Sequence, residues 1–212
     1  MQDNITVVTA ANLNFKGYLT HCVNSITQHG YSTLIYDLGG LGIGKPFADN
    51  RVSDEIGGKI PCKPSIILDA LDQVNNNSYL AWLDSDTLMT GNIDGIKLNY
   101  DLAVTIRKPK AQENGFPINA GVVFIRKTPA AINFVKNWVN LCENAKSDQA
   151  QLNLMCLMTS EHREKIVTRY DANVYGFPCE LYNNFYMKKA DVNNAKIMHY
   201  KSKLRGVYPY PI

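Results

Sequence analysis

The chain has 212 residues, of which 45% are hydrophobic and 19% are charged, and its formal net charge is +3. This apolar content excludes an intrinsically disordered chain, and the length suits one ordinary domain. The small net charge argues against a dedicated nucleic-acid-binding protein, which usually carries a larger basic excess on one face. The sequence has no run of about 18 consecutive apolar residues, so we expect no membrane span.

The cysteine pattern and the N-terminal sequence predict the compartment. Five cysteines occur at wide spacings, and none belongs to a C-x-x-C pair or a zinc-type cluster with histidine. The opening residues MQDNITVVTAANL lack the basic segment and long apolar run of a signal peptide. We therefore expect reduced, buried thiols and a cytoplasmic protein.

The first forty residues predict a strand, a helix and a second strand. Residues 5–10 (ITVVTA) form a short β-branched run that suits a buried parallel strand. Residues 17–29 carry apolar side chains three and four positions apart, as in an amphipathic helix, and Gly30 ends it. Residues 32–38 (STLIYDL) predict the second strand. The βαβ order places the chain in the α/β class.

The middle of the chain predicts a long loop, a helix and a strand. Residues 39–62 are rich in glycine and polar residues without a clear period, and long loops of this kind are often functional. Residues 63–76 predict a helix with Pro64 near its start. The apolar run YLAWL over 79–83 predicts a buried strand, which the sequence D-S-D follows at once.

The second half predicts two strands and two helices before an aromatic region. The strands cover 102–106 and 121–125, and the helices cover 129–143 and 148–158. From about residue 170 the sequence is aromatic and is predicted to be irregular, up to a short strand over 196–199 and a basic tail. The sequence has no linker and no internal repeat, so one domain over residues 1–212 is expected.

The D-S-D segment indicates a site for a divalent cation. Asp84 and Asp86 follow a predicted buried strand, and the carboxyl ends of such strands face the ligand crevice in open α/β sheets. Two carboxylates so close repel each other unless a cation neutralises them, and divalent cations often bridge carboxylates to substrate phosphates. The alternative is a plain Asp-Ser-Asp turn, because D-x-D alone is a weak signal.

The C-terminal region adds a histidine and several basic residues. His199 follows a short apolar run and could supply an imidazole ligand. Lys201, Lys203 and Arg205 come next and could neutralise a diphosphate leaving group. The alternatives are a surface histidine and a solvated basic tail, or a patch that contacts an anionic membrane.

Two further segments carry residues suited to a sugar. The small residues of Asn119-Ala120-Gly121 precede a predicted strand and would let a ligand approach the backbone, although a plain turn is the alternative. Asp148 and Gln149 open a predicted helix, where Asp148 could be an N-cap. Either side chain could instead reach toward a sugar.

Five segments in order (VVTAAN, WLDSDTLMTGNI, INAGVVFIRKT, SDQAQLN and KIMHYKSK) resemble those of GT-A nucleotide-sugar glycosyltransferases. The chain is most similar to the retaining family 8 group, which is glycogenin-like and galactosyltransferase-like, and to related nucleotide-diphospho-sugar transferases. The resemblance implies a Rossmann-like GT-A fold with a mixed, mostly parallel central sheet flanked by helices. It also implies a nucleotide-binding half over 1–100, ending in D-x-D, and an acceptor and sugar half over 101–212.

The resemblance assigns roles to individual residues. Asp84, Asp86 and His199 correspond to ligands of Mn²⁺ or Mg²⁺, and Asp148 and Gln149 to the D-Q pair near the reacting carbon. The donor-binding residues implied are Val8, Thr9, Ala10, Ala11, Asn12, Lys63, Asp84, Ser85, Asn119, Ala120, Gly121, Lys201 and Lys203. The segment YKSKLRGVY departs from the family pattern x-x-G-x-x-K-P-W, so the basic residue that meets the diphosphate stays open.

The implied activity is a metal-dependent transfer of a sugar from a nucleoside-diphosphate sugar to a hydroxyl, with retention of configuration. The resemblance favours UDP as the nucleotide, and the acceptor would be a glycan, a lipid-linked molecule or a protein. The basic C-terminal tail could also contact a membrane peripherally.

Two other functions are compatible with parts of the sequence. A haloacid-dehalogenase-like phosphatase also has D-x-D after an apolar strand, but its D-x-D-x-T signature would need threonine where Leu88 stands. A non-catalytic sugar-binding module would suit the aromatic C-terminal third. The two carboxylates, the histidine and the D-Q pair together favour the transferase.

Overall fold

The computed structural model describes residues 5–48, 62–109, 115–185 and 189–201. Its strands are β1 (Ile5–Ala11), β2 (Ser32–Asp37), β3 (Lys45–Pro46), β4 (Tyr79–Leu83), β5 (Thr87–Met89), β6 (Leu102–Ile106), β7 (Ile118–Arg126), β8 (Ile166–Arg169), β9 (Ala172–Pro178) and β10 (Ile197–His199). Eight of them form one sheet in the order β3-β2-β1-β4-β7-β6-β9-β8. Because β7 and β8 alone run against the others, the predicted mixed, mostly parallel sheet is confirmed.

The helices agree with the predicted ones in number and place for the first four. They are α1 (Lys16–Gln28), α2 (Lys63–Asp72), α3 (Pro129–Cys142), α4 (Asp148–Cys156), α5 (Cys179–Tyr182) and α6 (Lys189–Asn194). The hydroxyls of Thr128 and Ser147 accept N–H groups of the first turns of α3 and α4 and so cap both helices. The alternative that Asp148 is itself the cap is therefore wrong, and its carboxylate is available for other contacts.

Helices cover both faces of the sheet. One face buries Ile66 and Ile67 of α2 together with Phe134 and Trp138 of α3. The other face buries the apolar side of α1 and a group of aromatic rings. Full burial of each large apolar side chain contributes on the order of 1.5–3 kcal/mol, so these two layers hold the sheet that positions the site.

The prediction that the chain is irregular from about residue 170 is wrong. Strands β8 and β9 form a hairpin whose two turn residues, Tyr170 and Asp171, both have positive φ angles. A Tyr-Asp pair lacks the Asn-Gly or Asp-Gly signal of such a turn, so the hairpin was not predicted from the sequence. The rings of Phe177 and Tyr182 then pack edge-to-face on Phe124 at 5.5 and 5.6 Å, in the core and not in a sugar-stacking surface.

Three other parts of the chain also differ from prediction. The sequence did not predict β3, which lies within the expected loop over 39–62, and residues 49–61 of that loop lie outside the described residues. It did not predict β5, which pairs with the expected strand β10 in a separate two-stranded sheet. The N-A-G segment lies inside β7 and does not precede it. Among the described residues, no helix is both long and apolar enough to cross a membrane.

Candidate active site

The pairing of β5 with β10 brings distant residues to the D-S-D segment. His199 pairs with Thr87 in antiparallel register, and the Tyr200 N–H donates to the Asp86 carbonyl oxygen at 2.9 Å. The D-S-D segment connects β4 to β5, so it lies at the carboxyl end of a central strand. The register therefore places the imidazole directly beside the two carboxylates.

Asp84, Asp86 and His199 form a compact cluster of potential ligands. One ligand atom from each lies within 4.8 Å of the others. His199 Nε2 is 3.2 Å from Asp86 Oδ1 and 3.9 Å from Asp84 Oδ2. Asp86 and His199 are both buried, and Asp84 is partly open to solvent. The structure thus brings together the three residues that the sequence analysis proposed as metal ligands.

The Asp84 carboxylate is oriented by two donors on one oxygen. Trp82 Nε1 donates to Asp84 Oδ1 at 2.8 Å, and Lys63 Nζ lies 3.0 Å from the same oxygen. Residues two apart along a strand share a face, which explains why Trp82 reaches Asp84. The other oxygen, Oδ2, is the one that faces His199.

Lys63 is a buried cation that joins two parts of the site. Its Nζ lies 3.0 Å from Asp84 and 3.1 Å from Asp148, and it donates to the Ala120 carbonyl oxygen at 2.8 Å. Burial by itself would lower the pKa of Lys63. The Asp148 and Asp84 carboxylates raise this pKa by more than burial lowers it, so the net pKa is above the usual value and the amine stays charged. Burial raises the pKa of Asp148 while Lys63 opposes that change. The charge of Lys63 is therefore needed to balance the carboxylates.

Replacing Lys63 by methionine should lower the free energy of unfolding by about 3 kcal/mol or more, because it leaves the buried Asp148 carboxylate and the partly buried Asp84 carboxylate without their cation. Urea denaturation followed by tryptophan fluorescence measures this change. Adding Asp148→Asn to Lys63→Met should recover part of the lost free energy of unfolding, since it removes one of the two carboxylates left without a cation.

The exposed pair Lys45–Asp69, with 2.6 Å between Nζ and Oδ2, offers a matched control. Lys45→Met should cost only about 1 kcal/mol or less, as expected of a solvent-exposed ion pair. Equal free energies of unfolding for the Lys63 and Lys45 variants would contradict the role of Lys63.

The N-A-G segment forms a bulge in β7 that binds other site residues through its backbone. The pairing of β6 with β7 shifts register at this segment. The Ala120 N–H donates to Gln149 Oε1 at 3.2 Å, and the Gly121 carbonyl oxygen accepts the Asp84 N–H at 2.9 Å. The Asn119 side chain accepts the Gly121 N–H at 3.0 Å and so holds the bulge. A bulge re-aims backbone groups beside a site, and here it connects the D-S-D segment to the start of α4.

Of the residues predicted to hold the nucleotide at the end of the first strand, Val8, Thr9, Ala10 and Ala11 lie in β1 and Asn12 follows it directly. Val8 and Ala10 belong to the large hydrophobic core, and the donor-binding role of this segment stays a prediction. Thr9, Ala11 and Asn12 are also buried.

Of the remaining predicted donor-binding residues, Ser85 and Lys201 lie within the described residues and Lys203 lies outside them. Ser85 is buried between the two aspartates. Lys201 lies with its Nζ 4.4 Å from the ring centroid of Phe185, as in a cation–π contact. Lys203, like Arg205, lies outside the described residues.

Two residues that contact the candidate ligands were not predicted from the sequence. Trp82 was counted only as part of a strand, although its spacing from Asp84 was a usable signal. Asn183 was counted only in the aromatic region, and it lies 2.8 Å from His199 Nδ1. No spacing rule connects Asn183 to its partners, because they come from separate elements.

Comparison with known proteins identifies the family. Residues 71–206 match the sequence profile of the nucleotide-diphospho-sugar transferases. A search of curated proteins found no significant match. The match to transferases supports neither a phosphatase nor a binding module without activity.

Solved structures of glycosyltransferases share the fold. One involved in the glycosylation of the major capsid of PBCV-1 has a TM-score of 0.65 at 15% identity, over 96% of this chain and 97% of that one. GlyE of Streptococcus pneumoniae TIGR4 has a TM-score of 0.60 at 16% identity, over 94% of this chain but only 56% of its own. The galactosyltransferase LgtC, solved with donor and acceptor sugar analogs, has a TM-score of 0.53 at 13% identity, over 98% and 97%. The chain therefore belongs to the nucleotide-diphospho-sugar transferase family and is a transferase with the GT-A fold.

Proposed function

We propose that this transferase moves a sugar from a nucleoside-diphosphate sugar to an acceptor hydroxyl in a reaction that requires Mn²⁺ or Mg²⁺. The observation that carries the proposal is the convergence of Asp84, Asp86 and His199 within 4.8 Å of one another. The family match supports the donor class, and the resemblance in sequence favours UDP as its nucleotide. In this proposal residues 1–212 act as a single catalytic domain.

The chemistry of the three side chains fits a divalent cation. Two carboxylate oxygens and one imidazole nitrogen form a ligand set that divalent metals accept. The negative charges of Asp84 and Asp86 would otherwise repel each other, and Lys63 offsets only one oxygen of Asp84. A cation bound there would supply Lewis-acid stabilisation for negative charge on the departing diphosphate.

The D-Q pair is supported as the part of the site nearest the donor sugar. Lys63 connects Asp148 to Asp84, so the start of α4 lies beside the candidate cation site. Asp148 is held by this ion pair and is 7% exposed, which suits a residue that orients the sugar better than a nucleophile. Gln149 accepts the Ala120 N–H through Oε1, which leaves its amide nitrogen as the end that donates to a substrate.

The transfer step that fits these residues proceeds with retention through attack from the leaving-group face. The acceptor oxygen forms a bond to the anomeric carbon as the bond from that carbon to the phosphate oxygen breaks. The electron pair of the broken bond goes to the diphosphate, which also takes the acceptor proton. Lys201 and the other basic residues of the C-terminal segment would stabilise the charge that develops there.

The acceptor class extends the same proposal. The hydroxyl would belong to a glycan, a lipid-linked molecule or a protein, and the similar PBCV-1 enzyme is itself involved in glycosylation of a capsid. The cytoplasm as location, and peripheral contact of the basic tail with a membrane, stay predictions, and residues 202–212 lie outside the described residues.

Donor hydrolysis across a panel of nucleotide sugars tests this function. We expect hydrolysis of one donor class in the presence of Mn²⁺ or Mg²⁺, loss of activity after chelation, and recovery when excess cation is returned. Thermal unfolding of the chelated protein is the control that shows the fold is intact. Equal hydrolysis before and after chelation would contradict the requirement for a cation.

A further inference from the structure

The His199 ring contacts the protein through both of its nitrogens. Nε2 faces the carboxylates of Asp84 and Asp86, whereas Nδ1 lies 2.8 Å from Asn183 Oδ1. In neutral imidazole one nitrogen carries a proton and the other an electron pair, and only the electron pair can bind a cation. The ring is therefore a ligand through Nε2 only if the proton lies on Nδ1.

The amide orientation of Asn183 follows from its other partners. Asn183 Nδ2 lies 2.8 Å from Thr105 Oγ1 and 3.2 Å from the Asn119 carbonyl oxygen. A backbone carbonyl oxygen accepts hydrogen bonds and never donates them, so the amide atom beside it is the nitrogen. The Thr105 hydroxyl donates to the same carbonyl at 2.9 Å and thus accepts from Asn183. These contacts leave Asn183 Oδ1 facing His199, where it can only accept.

The opposite side of the ring favours the wrong tautomer. Asp86 Oδ1 lies 3.2 Å from His199 Nε2 and would accept a proton carried on that nitrogen. A proton on Nε2 would occupy the position that a cation needs. The tautomer of neutral His199 therefore depends on which acceptor binds the ring proton, the Asp86 carboxylate or the Asn183 amide oxygen.

The Asn183 amide oxygen is well placed to hold the proton of the His199 ring, because the contacts of Asn183 fix its position. It is fully buried, and its N–H donates to the Cys179 carbonyl oxygen at 2.8 Å at the end of α5. The carbonyl oxygen of Asn184 accepts the His199 backbone N–H at 2.8 Å, which fixes the chain after α5 to β10. The amide oxygen and the ring are thus held in one fixed arrangement by backbone and side-chain contacts together.

We propose that Asn183 is a positioning residue that holds the proton of His199 on Nδ1 and so keeps Nε2 free as a ligand. The significance of this contact rests on the proposed function, because it prepares the ring for a cation. Thr105 and the Asn119 carbonyl oxygen act on His199 through Asn183. No sequence pattern indicates this role, since the four groups come from β6, β7, the residue directly after α5, and β10.

The first test uses the protein without any cation. Long-range ¹H–¹⁵N spectra of histidine-labelled protein, at a pH where imidazole is neutral, report which ring nitrogen carries the proton. The chain has four histidines, and the signals of His199 are those missing from His199→Gln. We expect a proton on Nδ1. A proton on Nε2 with none on Nδ1 would overturn the proposal. Because this result needs no cation, it separates the proposal from the proposed function.

The second test measures Mn²⁺ affinity by electron paramagnetic resonance. Asn183→Leu should weaken Mn²⁺ binding by about 10- to 100-fold, the usual effect of removing a partner of a ligating histidine, and should move the proton to Nε2. Thr105→Val should have a smaller effect in the same direction, and it keeps the test valid if Asn183→Leu does not fold.

The control variant is Thr128→Ala, which removes the cap of α3 and is destabilised away from the site. It should bind Mn²⁺ as the wild type does. Wild-type affinity and an unchanged tautomer in folded Asn183→Leu or Thr105→Val would overturn the role of Asn183. Failure of the wild type itself to bind Mn²⁺ would refute the proposed function, and the cation-free spectrum would still decide the tautomer.

Discussion

Replacing Asp86 by asparagine should reduce cation-dependent donor hydrolysis by about 100-fold or more, because the change removes a charged group from the proposed cation site. The fold should survive. Asparagine has the same size, and its neutral amide relieves the repulsion from Asp84 at a position that is only 3% exposed. Hydrolysis rates at saturating Mn²⁺, together with circular dichroism of the same samples, measure both parts of the prediction.

The matched control for Asp86→Asn is Asp171→Asn. Asp171 is exposed in the turn between β8 and β9, and asparagine tolerates its positive φ of 62°. This variant loses the same charge at an exposed turn outside the candidate site and should keep wild-type activity. An unfolded Asp86→Asn protein would make the aspartate structural, and a fully active one would remove it from the catalytic site.

Gly121→Ala should abolish cation binding through a single added methyl group. A Cβ at this position would overlap His199 Cε1, and it would lie 2.6 Å from His199 Nδ1 and 3.2 Å from Asp84 Oδ2. The backbone of Gly121 is not in the left-handed region, so alanine is excluded by space and not by strain. The ring would have to leave Asn183 and the carboxylates, and a displacement of about 1 Å can cost on the order of 100-fold in rate. Mn²⁺ binding and donor hydrolysis measure the loss.

Gly91→Ala is the control for the added methyl group. Its Cβ would also make a close contact, 2.8 Å from Cδ of Lys196, but that flexible side chain can move aside. We expect near wild-type Mn²⁺ binding for Gly91→Ala and similar thermal unfolding for both variants. Wild-type Mn²⁺ affinity in Gly121→Ala would show that the close approach of the bulge to His199 does not matter.

The parts of the fold that the sequence predicted are those with strong local signals. Strand β4 is an uninterrupted apolar run, and the start of α3 combines a threonine cap with a proline. The two carboxylates of the candidate cation site were also singled out from their position directly after a buried strand, although D-x-D alone is a weak signal and a plain turn was the alternative. His199 was singled out as a possible imidazole ligand from the apolar run before it, but only the resemblance to the family joined it to the two aspartates. The β5–β10 pairing that brings it to them involves only three residues on each strand.

The parts that the sequence did not predict depend on contacts between distant elements. The turn places the aromatic residue Tyr170 at positive φ, a conformation that such residues rarely adopt, so the sequence carries no signal for the hairpin. Lys63 was assigned to the donor from its motif, and that assignment stays a prediction. Its ion pairs with Asp84 and Asp148 emerge only once the fold brings the start of α2 to the end of β4 and the start of α4. The bulge at Gly121 likewise depends on the register between β6 and β7.

Anomalous diffraction from crystals grown with Mn²⁺ and a nucleotide sugar tests the central claim most directly. We predict one manganese peak between the carboxylates of Asp84 and Asp86 and the Nε2 atom of His199, in contact with the diphosphate of the donor. A bound donor with no manganese among these three side chains, or with the side chains pointing apart, would contradict the account.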